Sequence, residues 1–415
     1  MPWTIVRPVA AWAALLAVAV VWGAIAVVDQ GVAINAAPFV GRLDPAVSAW
    51  FALPVAVAAT VVAVGPRIAA RARFSLVALA TALGAVAWTV ALAVTDGWAR
   101  LTSPLTTRHE YEPFAATFSS PRDLLGSFDP TDASLPIHVR GHPPGAALVP
   151  WGLDQIGLGG AGWFALLVIG AWGVAVAAAL VAARTVAGEA AARRAAPALA
   201  LLPGAVWAGT SADALFAAVF AVGVALAVRA RLRSAAVGGV VLGSGLLLTY
   251  GGALVLALPG ALHLGARRWG HLAAIGAGVL AVLVGVWAWS GFWWLDGLLG
   301  TREAYWDGIG AQRPALYTTL VGNPAAFAAA AGPAVLAGLW AAGRRWREAA
   351  SWLPLLGLGV VLLADLSQMS RGEVERIWLL FLPWVALAAP GDRRAWLAVQ
   401  AAVGIGLQIV LRSPW

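Results

Sequence analysis

Apolar runs of about 20 residues, the length that crosses the hydrocarbon core of a bilayer, recur along this chain from one end to the other. In lipid every backbone polar group must find its partner within its own segment, so such runs fold as helices. The expected fold class is therefore an all-α polytopic membrane protein. The runs fall near 8–28, 47–65, 75–95, 162–183, 195–208, 211–228, 236–247, 249–262, 272–290, 323–342, 352–366, 375–390 and 395–411, roughly thirteen spans in all. The first, from Pro8 to Val28, is longer than a signal-peptide core and has no convincing cleavage site after it. It reads as a retained helix.

Charge placement orients the spans. All 27 basic residues are arginine, and the net charge is +8. With the N-terminus inside and each segment crossing once, Arg7, Arg67, Arg71, Arg73, Arg184, Arg193, Arg194, Arg229, Arg231, Arg233, Arg267, Arg268, Arg344, Arg345, Arg347, Arg393 and Arg394 all fall on the inner side, as the positive-inside rule expects. This scheme closes if residues 144–157, interrupted by Pro144, Pro150 and Asp154, lie along the outer surface. The positive charge then belongs to membrane topology rather than to nucleic-acid binding. No cysteine is present, which excludes disulfides and thiolate metal sites. Neither a Walker-type nor a dinucleotide glycine motif occurs, which argues against a nucleotide-driven engine on the inner side.

Acidic residues behave differently. Only Glu189, Glu348 and Asp392 fall inside, whereas acids have little influence on insertion. Longer outer loops hold more of every residue type; alternatively, the chemistry is outside. Three outer segments are large enough to build a site: 96–145, 291–322 and the short "SQMSRGEVER" of 367–376.

In the first, "TTRHEYEPF" sets Arg108, His109, Glu110, Tyr111 and Glu112 in succession, followed by "HVRGHPPG" at 138–145. A carboxylate at the membrane surface can serve as general base to an acceptor hydroxyl. Arg108 and Arg140 offer the planar fork that holds a phosphate. Pro143 and Pro144 stiffen the backbone where the loop meets the membrane. His138 and His142 read either as metal ligands or, better, as polar contacts or substrate binders. "GTSADALF" puts Asp213 at a helix start, where it is either part of a cap built by Thr210 or Ser211 or a site acid at the membrane surface. Tyr250 sits in the glycine-rich turn "TYGG". The second loop mixes Trp293, Trp294, Tyr305 and Trp306 with Asp296, Arg302, Glu303, Asp307 and Arg313, a set that suits either an interfacial aromatic belt or a sugar-binding wall. The third carries Arg371, Glu373, Glu375 and Arg376. An arginine entering the membrane from outside needs a partner: a lipid-linked phosphate, or Glu373 or Glu375.

Taken together, the early acidic motif, the Pro-Pro element leading to a surface helix, the acid at a helix end and the glycine-rich hairpin resemble the GT-C superfamily of integral-membrane glycosyltransferases. The similarity is to the branch of protein mannosyltransferases and aminoarabinose transferases, with "HEY" (109–111) in the place of the acidic motif and "HPPG" (142–145) in that of the Pro-Pro-Leu element. A narrower likeness, carried by "PLTTRHEY", "HVRGHPPG", "TSADALF", "GFWWLDGL" and "GEVERIWL", is to the actinobacterial methylthioxylose transferase group, which decorates the mannose caps of lipoarabinomannan. In two respects the chain departs from the superfamily: His109 replaces a second acid, and two extra helices (1–74) precede the first large loop.

The resemblance implies a GT-C-like core over 75–322, with loops 96–145 and 291–322, and C-terminal membrane helices over 323–415. It implies a polyprenyl-phosphate sugar donor, an extracytoplasmic glycan acceptor and a site facing outward from the plasma membrane. Glu110 is the expected base, with His109, Tyr111, Arg140, His142, Asp213, Tyr250, Asp296, Arg302, Glu375 and Arg376 as substrate-binding candidates. No metal ligand set is assigned, and a divalent cation stays open as a cofactor. A flippase for a lipid-linked sugar is the alternative from a different class.

Overall fold

The computed structural model of the 415-residue chain describes residues 3–28, 30–209 and 211–415; Thr210, one of the two cap candidates, lies outside them. It is helical almost throughout. In chain order the helices are α1 (Trp3–Ala26), α2 (Ala52–Arg71), α3 (Phe74–Ala93), α4 (Tyr111–Ala115), α5 (Pro121–Gly126), α6 (Ile137–Arg140), α7 (Gly145–Gln155) and α8 (Ala161–Ala187). Then follow α9 (Glu189–Ala200), α10 (Ala205–Ala208), α11 (Asp213–Ala227), α12 (Leu232–Leu246), α13 (Ala257–Gly265), α14 (Trp269–Ser290), α15 (Trp294–Trp306), α16 (Ile309–Gln312) and α17 (Ala315–Tyr317). The last are α18 (Asn323–Ala331), α19 (Pro333–Arg344), α20 (Ala349–Leu366), α21 (Val374–Ile377), α22 (Leu382–Ala386) and α23 (Arg394–Val410). Two-residue strands at Arg42–Leu43 and Leu411–Arg412 pair antiparallel.

Among the described residues six helices are long and apolar enough to cross a bilayer: Ile5–Ala26, Ala49–Arg71, Phe74–Asp96, Ala161–Ala187, Trp269–Ser290 and Ala349–Leu366. Their outward faces carry large apolar side chains, among them Ile25, Leu166, Leu280 and Leu366, exposed by 81%, 61%, 58% and 68%. A surface of this kind is stable against lipid tails and unstable in water. The buried face is made chiefly by α8, which packs against α3, α9 and α11 through Phe164, Trp172, Val176 and Leu180. Alanine and glycine dominate these contacts and let the backbones approach closely, as membrane helix pairs require. Helices from all three expected stretches interlock: α1 lies on α18 and α19, and α23 on α2.

Several expected spans are broken. The segment 323–342 is two helices bent by 103°, with Gly332 at φ +80 and Pro333 starting α19. Gly332 supplies the left-handed backbone that ends α18, and a Cβ there would run into the Gln400 carboxamide. Gln400, fully buried on α23, donates Nε2–H to Ala331 O (2.8 Å) and accepts Ala334 N–H (3.2 Å), so the break leaves these backbone groups paired. Residues 375–390 form α21, a tight turn at Trp378–Leu380 and α22, not one span, and Pro383 starts the last of these pieces. Residues 249–262 open as a narrow helix, Tyr250–Leu256, before α13. Segment 195–208 divides at Pro203 into α9 and α10. A run of apolar residues reports burial in lipid or protein alike, which is why composition alone merged these pieces.

The arginine-rich helix ends gather together. Arg193 reaches Ala69 O, Arg394 reaches Ala63 O, and His271 meets Ala230 O. Loops 96–145, 291–314 and 367–376 collect at the opposite end.

A candidate site of buried charge at the loop end

Glu110 caps the start of α4 in extended conformation (φ −94, ψ 168), and its side chain is buried although its neighbour His109 is exposed. The backbone of His109 is nonetheless used: its carbonyl accepts His138 N–H (3.3 Å) and so ties α6 to the acidic motif. The imidazole of His138 then lies against Glu110, with Nδ1 2.7 Å from Oε1. The angle of this contact is off that of a hydrogen bond, so the ring nitrogen has no aligned protein partner.

The proline pair explains the next step. Pro143 and Pro144 end α6 and begin α7, and Gly145 packs so closely on Leu247 O that no Cβ fits. The turn is thereby fixed on the end of α12. His142 donates Nδ1–H to Leu248 O (3.2 Å), because a carbonyl can only accept. Burial lowers the His142 pKa to about 4, the nearby Arg376 and His138 charges adding to the effect, so the ring is neutral near pH 7. It packs edge-on to Tyr111 at 6.0 Å and against Phe216 of α11 at 5.3 Å. Tyr111 is enclosed, and its phenol is raised well above its usual range by burial and then by the charges of Asp213 and Glu110.

The acid of α11 meets the third loop here. Arg376 Nη1 donates to Asp213 Oδ2 (3.1 Å) and Nη2 to Glu373 Oε2 (3.3 Å). Glu373 is shared: its Oε1 accepts Arg313 Nη2–H at 2.7 Å. Arg313 also donates to Val32 O (2.9 Å) and Arg371 O (2.8 Å) and so ties three loops together. Burial pushes the Glu373 carboxyl up, but the two guanidiniums outweigh it and hold the group below its ordinary value. Glu373 stands at φ +62, a left-handed conformation that disfavours side chains by about 1–2 kcal/mol. The two arginines fix it there. Ser211 Oγ donates to Asp213 Oδ2 (2.5 Å) and accepts Asp213 N–H (3.2 Å), so Asp213 is both a helix-start acid and an ion-pair partner.

Glu375 is the acid with least support. One oxygen accepts Val40 N–H at 3.4 Å and the other has no partner, while the residue is 1% exposed. Burial pushes its carboxyl up to about 7, and the charge of Glu373 adds to this. Arg376 Nε is likewise buried without an acceptor, and the guanidinium plane lies 4.4 Å from the Trp415 ring. Buried polar groups are paired in the great majority of cases, so Glu375 Oε2 and Arg376 Nε mark a place the protein alone does not complete.

Of the sequence candidates, Glu110, Tyr111, His142, Asp213, Glu375 and Arg376 come together in this cluster. His109 faces outward. Arg140 is tied by Nε to Pro130 O (3.0 Å), and its carbonyl accepts Thr301 Oγ1–H (3.0 Å). With Thr301 on α15 comes Tyr250, buried against Trp294 at 5.5 Å, so Arg140 and Tyr250 belong to an adjoining packed group. Asp296 and Arg302 lie exposed on α15 without an ion-pair or hydrogen-bond partner among the described residues. His138, Ser211, Arg313 and Glu373, which the sequence offers only as alternatives or in other capacities, also belong to the cluster. The Arg313–Glu373 and Arg376–Asp213 pairings join residues 60 and 163 apart, which no local pattern reveals, whereas the Ser211–Asp213 and Glu373–Arg376 contacts are local in sequence. The partner that Arg376 needs is Asp213 together with Glu373, not Glu375.

Among the described residues no group of three or more histidines and carboxylates is placed to hold a metal ion. The chain matches no protein-family profile, no curated protein and no solved structure.

Proposed function

We propose that the chain is an integral-membrane glycosyltransferase that moves a sugar from a polyprenyl-phosphate donor to a cell-envelope glycan outside the plasma membrane. The motif resemblance makes a pentose such as methylthioxylose, delivered to lipoarabinomannan, the leading donor and acceptor. The observation that carries the reading is the convergence of acids and an incompletely partnered arginine from four distant segments at one end of an apolar helix bundle. Ionisable groups at such depth are expensive and mark sites.

In this reading the acceptor hydroxyl oxygen attacks the anomeric carbon, the bond from that carbon to the phosphate oxygen breaks, and the polyprenyl phosphate leaves with the electron pair. Glu110 takes the hydroxyl proton. His138, at 2.7 Å, holds the carboxylate in place. Asp213 and Glu373 orient Arg376, whose free Nε faces the leaving phosphate, and Tyr111 and His142 supply a neutral wall for the sugar.

The test is transfer of radiolabelled polyprenyl-phosphate sugars to a mannan acceptor in purified membranes. Wild type should label the glycan, and Glu110→Gln should lower kcat by about 10²–10⁴, the usual share of general-base catalysis. Full activity in Glu110→Gln would remove Glu110 from the mechanism. Lipid-linked sugar crossing vesicles without glycan labelling would make the protein a flippase.

A further inference from the structure

We propose that the groove at the arginine-rich end, between the start of α3 and the end of α8, binds the headgroup phosphate of an anionic glycerophospholipid. The proposal is independent of the glycosyltransferase reading, which concerns the opposite end of the molecule. The groove is open to the surface and has a volume of about 470 Å³. Its floor is apolar, made by Phe74, Ala78 and Val181, and its rim carries Arg184, Arg229 and the Ser75 hydroxyl.

Charge at the rim is unbalanced. Arg184 pairs with Glu189 Oε2 at 2.8 Å, but Arg193 claims the other oxygen of the same carboxylate at 2.5 Å. Arg229 is exposed and makes no ion pair among the described residues. One acid thus serves two arginines, and a third has none. The Arg184 guanidinium is held at 4.5 Å over the Phe74 ring, which fixes its plane at the groove mouth. The first turn of α3, a 20-residue helix, adds its unpaired backbone N–H groups and the positive end of its dipole at the same mouth.

The ligand chemistry follows from this asymmetry. A phosphate satisfies the rim, yet the apolar floor and the volume exceed what a free phosphate fills. A phosphodiester carrying a glycerol and acyl chains matches both, and the two helices that build the groove carry exposed apolar side chains, such as Leu76 and Leu79 on α3 and Val174 on α8. Basic pockets between helices at a bilayer surface are where anionic headgroups bind.

The experiment is lipid binding by the full-length protein in neutral detergent, titrated with short-chain phosphatidylglycerol, phosphatidylcholine and inorganic phosphate and read by native mass spectrometry. Phosphatidylglycerol should bind in preference to phosphatidylcholine. Arg229→Gln should weaken it about fivefold, the effect of one arginine near a bilayer surface. Arg345→Gln, an exposed arginine at the same end but outside the groove, should leave affinity unchanged. Because Arg184 also packs on Phe74, the second probe is Ala78→Phe, which fills the floor, keeps both arginines and should reduce retention of phosphatidylglycerol. Equal binding of the two lipids, equal loss in Arg229→Gln and Arg345→Gln, or displacement of the lipid by millimolar phosphate would overturn the proposal.

Discussion

Replacing Arg376 by methionine tests the buried cluster without reference to any substrate. The two ends of its main ion pair are almost closed to solvent, with side-chain exposure of 6% for Arg376 and 4% for Asp213. Removing one partner of such a pair leaves an uncompensated buried charge, at about 3–5 kcal/mol. The damage is not evenly shared. Glu373 keeps Arg313 at 2.7 Å, whereas Asp213 keeps only the Ser211 hydroxyl. The stranded charge is therefore that of Asp213, and Asp213→Asn placed on top of Arg376→Met should restore about 1 kcal/mol, which with the cost of Asp213→Asn alone makes a coupling of about 2–3 kcal/mol, the upper part of the range found for contacting residues. Asp213→Asn alone should be milder, about 1–2 kcal/mol, because Arg376 retains Glu373 and the amide oxygen still accepts. The measurement is reversible unfolding in mixed micelles, followed by tryptophan fluorescence, for the three variants and wild type. A loss below about 1 kcal/mol for Arg376→Met, or a double variant as unstable as Arg376→Met, would refute the assignment of Asp213 as the dependent partner.

The other predictions concern separate parts of the molecule. Gln400→Leu orphans Ala331 O and Ala334 N–H at the α18–α19 break and should cost about 2–5 kcal/mol in the same unfolding assay, since each unmade buried bond costs about 1–3 kcal/mol. Glu375, raised from 4.5 to about 7 in the folded chain, binds a proton that the unfolded chain releases. Its contribution to stability is complete below pH 4.5 and is lost as pH rises through about 7, and Glu375→Gln should flatten that slope in a pH series of unfolding midpoints. Glu110→Gln should remove glycan labelling while leaving the tryptophan emission of the folded chain unchanged. Arg229→Gln should lower phosphatidylglycerol affinity about fivefold with no effect on sugar transfer.

What the sequence discloses depends on the kind of physics involved. The continuous helices α1, α3, α8 and α14 are legible because each is an unbroken apolar run with arginines beyond one end. The broken segments are not, because Gly332, Pro333 and Pro383 sit inside runs whose composition stays apolar on both sides. The buried carboxamide of Gln400 pairs the Ala331 carbonyl and the Ala334 N–H at the sharp bend. In the cluster, the identity of Glu110, Asp213 and Arg376 as unusual residues is legible from their setting against so much apolar sequence. Their partners are only partly legible: of the two acids the sequence offers to Arg376, Glu373 pairs with it and Glu375, one residue away, does not. The helical turn of α21 points the two apart, and a neighbour 163 positions distant takes the contact instead. Asp296 and Arg302 fit a sugar-binding wall by type, and α15 places both at its exposed face, away from the buried cluster.

The charge balance of the cluster constrains how a phosphate can enter it. Glu110, Asp213, Glu373 and Glu375 gather around Arg313 and Arg376, with His138 against Glu110 and His142 neutral, so carboxyl groups outnumber the basic groups of the closed site. Both guanidiniums are committed to carboxylates. An anionic donor arriving at Arg376 Nε therefore meets net repulsion unless one acid gives up its charge. Glu375 is the group suited to do so: its carboxyl lies near 7, its second oxygen has no protein partner, and once protonated it becomes a hydrogen-bond donor beside the arginine. Under the proposed reaction, then, Glu375 acts by carrying a proton rather than a charge. The same pH range that removes its contribution to stability is the range over which donor binding should weaken. A purely structural acid in this position would gain from being ionised and paired, as Glu373 is. Glu375 has neither a guanidinium nor a full set of hydrogen bonds, which separates its role from that of its neighbour two residues before it.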